Sequence, residues 1–292
     1  MMVAMISREL HWSWQGQNVV LGMDEAGCGP PVLLLPALSS ISTRDEMRPL
    51  ADRLTPQFRT ISVDWPGFGT KPRPPVRWTP DALLAFLDYL IKTIGGRLHG
   101  VVAAGHAATY VLYYVSSHLS VVDRIVLIAP TWRGPLPTMA GGHRPLFAKI
   151  RRAVESRLFG PLLYRINVNP LMMRMMVAGH VYSDKNWLSG KRLREKRRVT
   201  EAENARFASA GFVTGALDLV ASQTDFLSLA SDINAPILLV YGSETPRRSR
   251  AEMEALATVP GVQTVCLNKG KLSVHEEFPD EVVQAVKPFL TA

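Results

Sequence analysis

Apolar residues along the chain fall into short unbroken runs separated by longer stretches with helical spacing. PVLLLPAL (31–38), RTISVDW (59–65), HGVVAAG (99–105), RIVLIAP (124–130), PILLVYG (236–242) and VQTVCLN (262–268) are rich in leucine or β-branched residues. Each is closed by Gly, Pro or a polar turn. This pattern predicts buried strands. Runs that are apolar throughout need both faces covered, which is the condition of a mainly parallel sheet flanked by helices.

The stretches between them predict helices over 44–54, 79–94, 107–118, 248–258 and 278–290. The second is well signalled. Thr79 can cap it, Pro80 suits its first turn, and Leu83, Leu84, Leu87 and Leu90 share a face. ELHWSWQGQNVVLGMDEAG at the front reads as an antiparallel hairpin feeding the sheet. The gap from 130 to 236 is too long for a plain crossover, and its pattern is mostly helical. KIRRAVESRLFGPLLYRI (149–166) puts Ile150, Val154, Leu158, Leu162 and Ile166 on one stripe with arginines opposite, and NPLMMRMMVAGHVY (169–182) is rich in methionine. The expected organisation is an α/β core made of residues 1–133 and 223–292, with a helical cap inserted at 134–222. A chain of 292 residues has room for one such unit.

Charge changes the picture in one place. Residues 144–198 hold 14 Lys/Arg against 3 Asp/Glu, a net of +11 that exceeds the +8 of the whole chain. Three readings compete. The segment is a solvated helical face, or it meets an anionic surface or an acidic protein partner, or it binds nucleic acid. The last is disfavoured because no nucleic-acid module is recognisable. Residues 98–122 lack Asp, Glu, Lys and Arg, but their histidines, glycines and serines fit a strand, turn and buried helix better than a membrane span. The opening MMVAMISREL lacks the pattern of a secretory signal, so a cytoplasmic location is the default expectation. Cys28 and Cys266 are too few for a disulfide framework or a multi-Cys zinc site and read as two buried free thiols. No metal or cofactor motif is present.

The strand order and several local strings resemble the α/β-hydrolase fold superfamily. EAGCGPPVLLLPAL resembles the family's approach to its oxyanion loop. VDWPGFGTKPRP (63–74) resembles its D-x-x-G-x-G-x-S turn, with Asp64, Gly67 and Gly69 in place and Thr70 for the usual Ser. VVAAGHAAT (101–109) resembles the strand and turn of the nucleophile elbow, PILLVYGSETP the strand end that bears the acid, and HEEFPDEVVQAVKPFL the final helix.

The resemblance implies a nucleophile, an acid, a base histidine and backbone donors for an oxyanion. Aligned on those strings, the three triad positions read Ala107, Thr245 and Leu272. Pro36-Ala37-Leu38-Ser39-Ser40 replaces the usual His-Gly loop, leaving the backbone N–H groups of Leu38 and Ala108 as donors. The remaining catalytic candidates are His275, Glu244 and His106. A pocket between the sheet and the cap is expected to be lined by Leu38, Ser39, Ala107, Ala108, Trp132, Ser243 and cap methionines such as Met172, Met173 and Met176. The leading expectation is a non-catalytic member that binds an apolar small molecule or a partner. The alternatives are a hydrolase- or lyase-type enzyme that uses a His–carboxylate pair without a covalent nucleophile, and a basic adaptor for an anionic surface.

Overall fold

The computed structural model describes residues 4–292, with the side chain of Met172 outside the description. Eight strands form one sheet: β1 (Ile6–Trp14), β2 (Gln17–Ala26), β3 (Pro31–Leu35), β4 (Arg59–Val63), β5 (Gly100–Ala104), β6 (Ile125–Ile128), β7 (Ile237–Gly242) and β8 (Val262–Leu267). Their order across the sheet is β1-β2-β4-β3-β5-β6-β7-β8. The front hairpin is antiparallel and joins β4 antiparallel, and every pairing from β4 to β8 is parallel. β5, β6 and β7 are buried at every residue, as their unbroken apolar runs require.

β8 departs from expectation. It lies at the sheet edge, and Gln263, Thr264 and Cys266 on it are exposed. One neighbour and a partly open face leave it with less to bury. Both cysteines are exposed free thiols rather than buried ones, Cys28 in the turn before β3 and Cys266 on this edge strand.

Before the fourth strand of the sequence lies α1 (Arg48–Leu54), entered through a 3-10 turn at Arg44–Met47. α2 (Pro80–Ile94) follows β4. The Thr79 hydroxyl accepts from the Ala82 N–H at 3.3 Å, Pro80 opens the helix, and Leu83, Phe86, Leu87 and Leu90 are buried. α3 (Ala107–Ser117) follows β5 directly. The connection from β6 to β7 carries α4 (Pro135–Ala140), α5 (Pro145–Glu155), α6 (Gly160–Asn167), α7 (Pro170–His180), α8 (Gly190–Glu201), α9 (Ala205–Val213) and α10 (Gln223–Ser231). α11 (Arg247–Leu256), α12 (Val274–Glu277) and α13 (Pro279–Thr291) complete the chain.

The helix expected over 149–166 is two helices, broken at 156–159. Ser156 is extended (φ −61°, ψ 149°), and Gly160-Pro161 start the second helix. Proline there cannot donate to the preceding turn. The predicted stripe divides with the helix. Ile150 and Val154 are partly buried, whereas Leu158, Leu162 and Ile166 are exposed.

The inserted helices sit over the C-terminal ends of the parallel strands, and polar contacts fix them there. Ser40, in the loop after β3, meets Ser209 of α9 at 2.5 Å between hydroxyl oxygens. Arg73, in the loop after β4, donates to the carbonyls of Gly69 and Val199, and its own carbonyl accepts from Asn204 Nδ2 at 2.8 Å. Burial pushes the Arg73 guanidinium down to about 10.

The D-x-x-G-x-G turn has a visible physical basis. Asp64 accepts from the Thr43 hydroxyl and the Arg44 N–H, both at 2.8 Å, and pairs with the Arg44 guanidinium at 2.7 Å. Arg44 also pairs with Asp24 of β2 at 3.0 Å. A Cβ at Gly69 (φ 83°) would collide with the Asp64 carboxyl, so glycine is required on two counts. All three charged side chains are largely buried. Arg44→Met therefore leaves two buried carboxylates unpaired and is expected to cost about 3–5 kcal/mol in urea unfolding. Adding Asp24→Asn and Asp64→Asn should recover part of that loss. Full wild-type stability in the single variant would show that the triad does not clamp these loops.

Candidate functional site

The sharp turn between β5 and α3 is made by Gly105, whose φ is +53°. Its N–H donates to the Ile128 carbonyl at 2.9 Å, and its carbonyl accepts from Thr131 N–H at 3.1 Å and Ala108 N–H at 3.2 Å. His106 is already helical (φ −69°, ψ −19°), and Ala107 is the first residue of α3. A nucleophile elbow places its reactive residue on the strained strand-to-helix turn itself. The positive-φ residue of this turn is Gly105, two residues ahead of Ala107, the position that the family strings indicate. Ala107 and Ala108 are the small residues that let the helix pack, and the Ala108 N–H is spent on Gly105 rather than free for a ligand. A Cβ added at Gly105 would stand 3.1 Å from the Ala37 Cβ, in the loop after β3.

That loop is held by an acid. The Ala37 N–H donates to Glu46 Oε1 at 2.6 Å. Glu46 belongs to a buried cluster with His275, Glu276, Lys196 and Tyr182. Lys196 Nζ lies 2.9 Å from Glu276 and 3.7 Å from Glu46, and the Tyr182 hydroxyl donates to Glu276 at 2.6 Å. Burial opposes the Lys196 charge, but Glu276, Tyr182 and Glu46 outweigh it and raise the pKa. Burial likewise opposes ionisation of Glu276, and Lys196 with His275 brings it below the usual glutamate range. Glu46, His275 and Glu276 bring three potential metal-ligand atoms within 4.8 Å of one another. The Lys196 ammonium in the same cluster supplies the positive charge that a bound cation would.

His275, the first of the catalytic candidates, is wholly buried in this cluster. Its Nε2 is 3.6 Å from Glu46, and neither ring nitrogen has a hydrogen-bond partner. Glu244 is exposed and accepts from the Gly270 N–H at 3.3 Å, capping the turn ahead of α12. Among the described residues no hydrogen bond or ion pair joins Glu244 to His275. At the two remaining aligned positions, Thr245 is buried with its hydroxyl unpartnered, and Leu272 packs half-buried against the core.

His106 has company that its local sequence does not announce. Its Nε2 lies 3.3 Å from the Leu217 carbonyl and 3.5 Å from Asp218 Oδ1, and its ring meets Phe212 edge-on. Asp218 also accepts from the Gly134 N–H at 2.8 Å and approaches His143 Nε2 at 3.1 Å. Burial drives the pair toward neutrality. It pushes His106 down to about 4 and Asp218 up to about 8, with the Gly134 hydrogen bond and Arg133 opposing the latter. At neutral pH the His106 imidazole is therefore uncharged and the Asp218 carboxyl largely keeps its proton. The one sequence signal for Asp218 is an isolated acid inside the apolar run GALDLV.

Of the expected pocket residues, Leu38, Ala107, Ala108 and Trp132 are buried in the main core. Met173 packs in a separate cluster with Val177, Tyr182 and Leu188, while Met176 is exposed and the Met172 side chain lies outside the described residues. Ser39 and Ser243 are half-buried, and Ser39 meets the Ser42 hydroxyl at 2.7 Å. The two best-defined cavities lie elsewhere. One is a void of about 10 Å³ in the core. The other, of about 210 Å³, is at the opposite end of the strands beside Arg97, Ser120 and Asn234. No helix among the described residues is long and apolar enough to cross a membrane.

Residues 32–285 match the model of the alpha/beta hydrolase family. The chain belongs to this family. An esterase from Thermogutta terrifontis is similar in structure at 20% identity and a TM-score of 0.73, over 97% of this chain and 98% of that one. The enol-lactonase from Burkholderia xenovorans LB400 is similar at 18% identity and a TM-score of 0.72, over 97% and 100% of the chains. The Cif epoxide hydrolase from Acinetobacter nosocomialis is similar at 15% and 0.71, over 97% and 89%. No curated protein sequence matches the chain. At these identities the likeness concerns the fold.

The Asp218 geometry generates a pH prediction. An aspartate in the unfolded chain titrates near 4, so above that the native state holds a proton that the unfolded state has released. Stability then falls as pH rises toward 8. His106 and His143 act in the opposite sense, but mainly below about pH 7. Between pH 7 and 8 the wild type should lose about 1 kcal/mol in chemical denaturation, and Asp218→Asn should lose little. An equal decline in both would place the titration elsewhere.

Proposed function

We propose that this member of the alpha/beta hydrolase family does no covalent acyl-transfer chemistry and works by binding. The observation that carries the reading is Gly105, which puts no side chain on the elbow. Thr245 and Leu272 at the acid and base positions support it, because neither can orient or carry a proton as the triad requires. The Ala37 hydrogen bond to Glu46 supports it further. An acid so close to the oxyanion loop disfavours negative charge developing there. Loss of triad members removes a rate factor of about a million in a serine protease, so activity does not survive such departures by degrees. The burial of Leu38, Ala107, Ala108 and Trp132 favours a partner met at the protein surface over an apolar molecule enclosed beneath the inserted helices.

A second reading rests on the His106–Asp218 pair. His106 follows Gly105 directly, and its uncharged imidazole 3.5 Å from a protonated carboxyl could serve general acid–base chemistry without a nucleophile. This differs from the His275–Glu244 pairing that the sequence suggested, since those two residues do not meet.

The two readings separate in one experiment. The purified chain should show no labelling by a fluorophosphonate probe and background turnover of nitrophenyl esters from acetate to laurate. Gly105→Ser should leave turnover at background, because Thr245 and Leu272 stand at the acid and base positions. Turnover by the wild type that His106→Ala abolishes would overturn the binding reading in favour of the second. Strong turnover by Gly105→Ser would show that the rest of an acyl-transfer site is intact.

A further inference from the structure

The most unusual surface of the molecule lies on α6 and α7. On α6, Gly160 and Tyr164 are buried, which turns Leu162 and Ile166 outward at 61% and 58% exposure. On α7, Met173 and Val177 face the interior, which turns Leu171 and Met175 outward at 69% and 58%. Leu158 and Phe159, just ahead of α6, are 84% and 67% exposed. Single exposed apolar residues need no explanation, but a run of this kind on successive helices marks an interaction surface.

The charge around these residues indicates what covers them. Residues 156–183 contain no Asp or Glu, and Arg157, Arg165 and Arg174, all exposed, alternate with the apolar positions. A second copy of the chain would set one strongly basic segment against another, at the cost of mutual repulsion. Nucleic acid would match the charge but leave the leucines, isoleucine and methionine in water. A layer that offers acidic headgroups above hydrocarbon satisfies both features. Amphipathic helices with arginine beside leucine and phenylalanine lie in such an interface with the apolar face sunk to the acyl boundary.

We infer that α6 and α7, with the turn before them, dock the protein peripherally on an anionic phospholipid bilayer. Leu158, Phe159, Leu162, Ile166, Leu171 and Met175 enter the interface, and the three arginines meet headgroup phosphates. The inference stands whether or not the protein turns over a substrate, so it can fail or hold independently of the function proposed above.

The test is vesicle co-sedimentation of the full chain, with circular dichroism melting of each variant as a check on folding. The wild type should bind vesicles of phosphatidylcholine containing about a third phosphatidylglycerol and should bind pure phosphatidylcholine at least about ten-fold more weakly. Raising salt from about 0.1 to 0.5 M should weaken binding about ten-fold through screening of the arginines. Leu162→Gln with Ile166→Gln, and separately Arg165→Gln with Arg174→Gln, should each reduce binding about five-fold or more without changing the melt. Equal binding to neutral and anionic vesicles would overturn the inference, as would no binding at all. Unchanged binding by the Leu162→Gln, Ile166→Gln variant would overturn it too. So would a concentration-dependent dimer that this variant abolishes, because the face would then be covered by a second copy.

Discussion

A buried lysine holds the two halves of this molecule in one arrangement. Lys196 projects from α8 of the inserted segment, and its ammonium stands between Glu46 and Glu276 of the core. Charges removed from water are tolerable only when paired, so the inserted segment cannot lift away without stranding two acids and a cation. The effect spreads outward from there. Glu46 also fixes the Ala37 amide, Tyr182 adds its hydroxyl to Glu276, and Glu277 accepts from the N–H groups of Ser183 and Asp184 at 2.8 and 2.7 Å. The loop after β3, the segment ahead of α13 and the inserted helices are therefore one electrostatic unit.

This unit occupies ground that an acyl-transfer enzyme needs for other purposes. His275 spends its position beside Glu46 with both ring nitrogens unpartnered, and the Ala37 amide is committed to a carboxylate. After β5, His106 and Asp218 form a buried pair that burial keeps largely uncharged at neutral pH. Ligands bind at the strand ends of an open α/β sheet, and here the loops after β3 and β5 meet buried charged or titratable side chains. α6 and α7 of the insertion carry exposed apolar and basic side chains.

Much of the fold was legible because its signals are local. The strand runs, the Thr79-Pro80 start of α2 and the Asp64 turn with its glycines each rest on neighbours within a few residues. Errors arose where a decision depended on tertiary context. The stripe through Leu158, Leu162 and Ile166 has helical spacing, but spacing does not say which side is dry. VQTVCLN reads as a strand without revealing that it lies at an edge, where Cys266 is exposed rather than buried. GHAAT aligns by its Gly-His pair and so points to Ala107, whereas the positive φ of the turn falls on Gly105. Lys196 sits in KRLREKRR among six charged neighbours that look equally solvated, and only the packing of α8 selects it for burial. Asp218 had a faint signal, but its histidines lie 112 and 75 residues away in the chain.

The bare elbow constrains what this sequence can become. Because Gly105 has no side chain, Ala37 has settled to where a Cβ would find it at 3.1 Å. Ala37 is tethered to Glu46, and Glu46 is bound up with Lys196. A side chain at the turn must therefore displace a loop whose anchor reaches into a different part of the chain. Viewed as a landscape of sequences, position 105 is coupled to positions 37, 46 and 196, so a side chain on the turn asks for a small shift in residues remote from it in the chain.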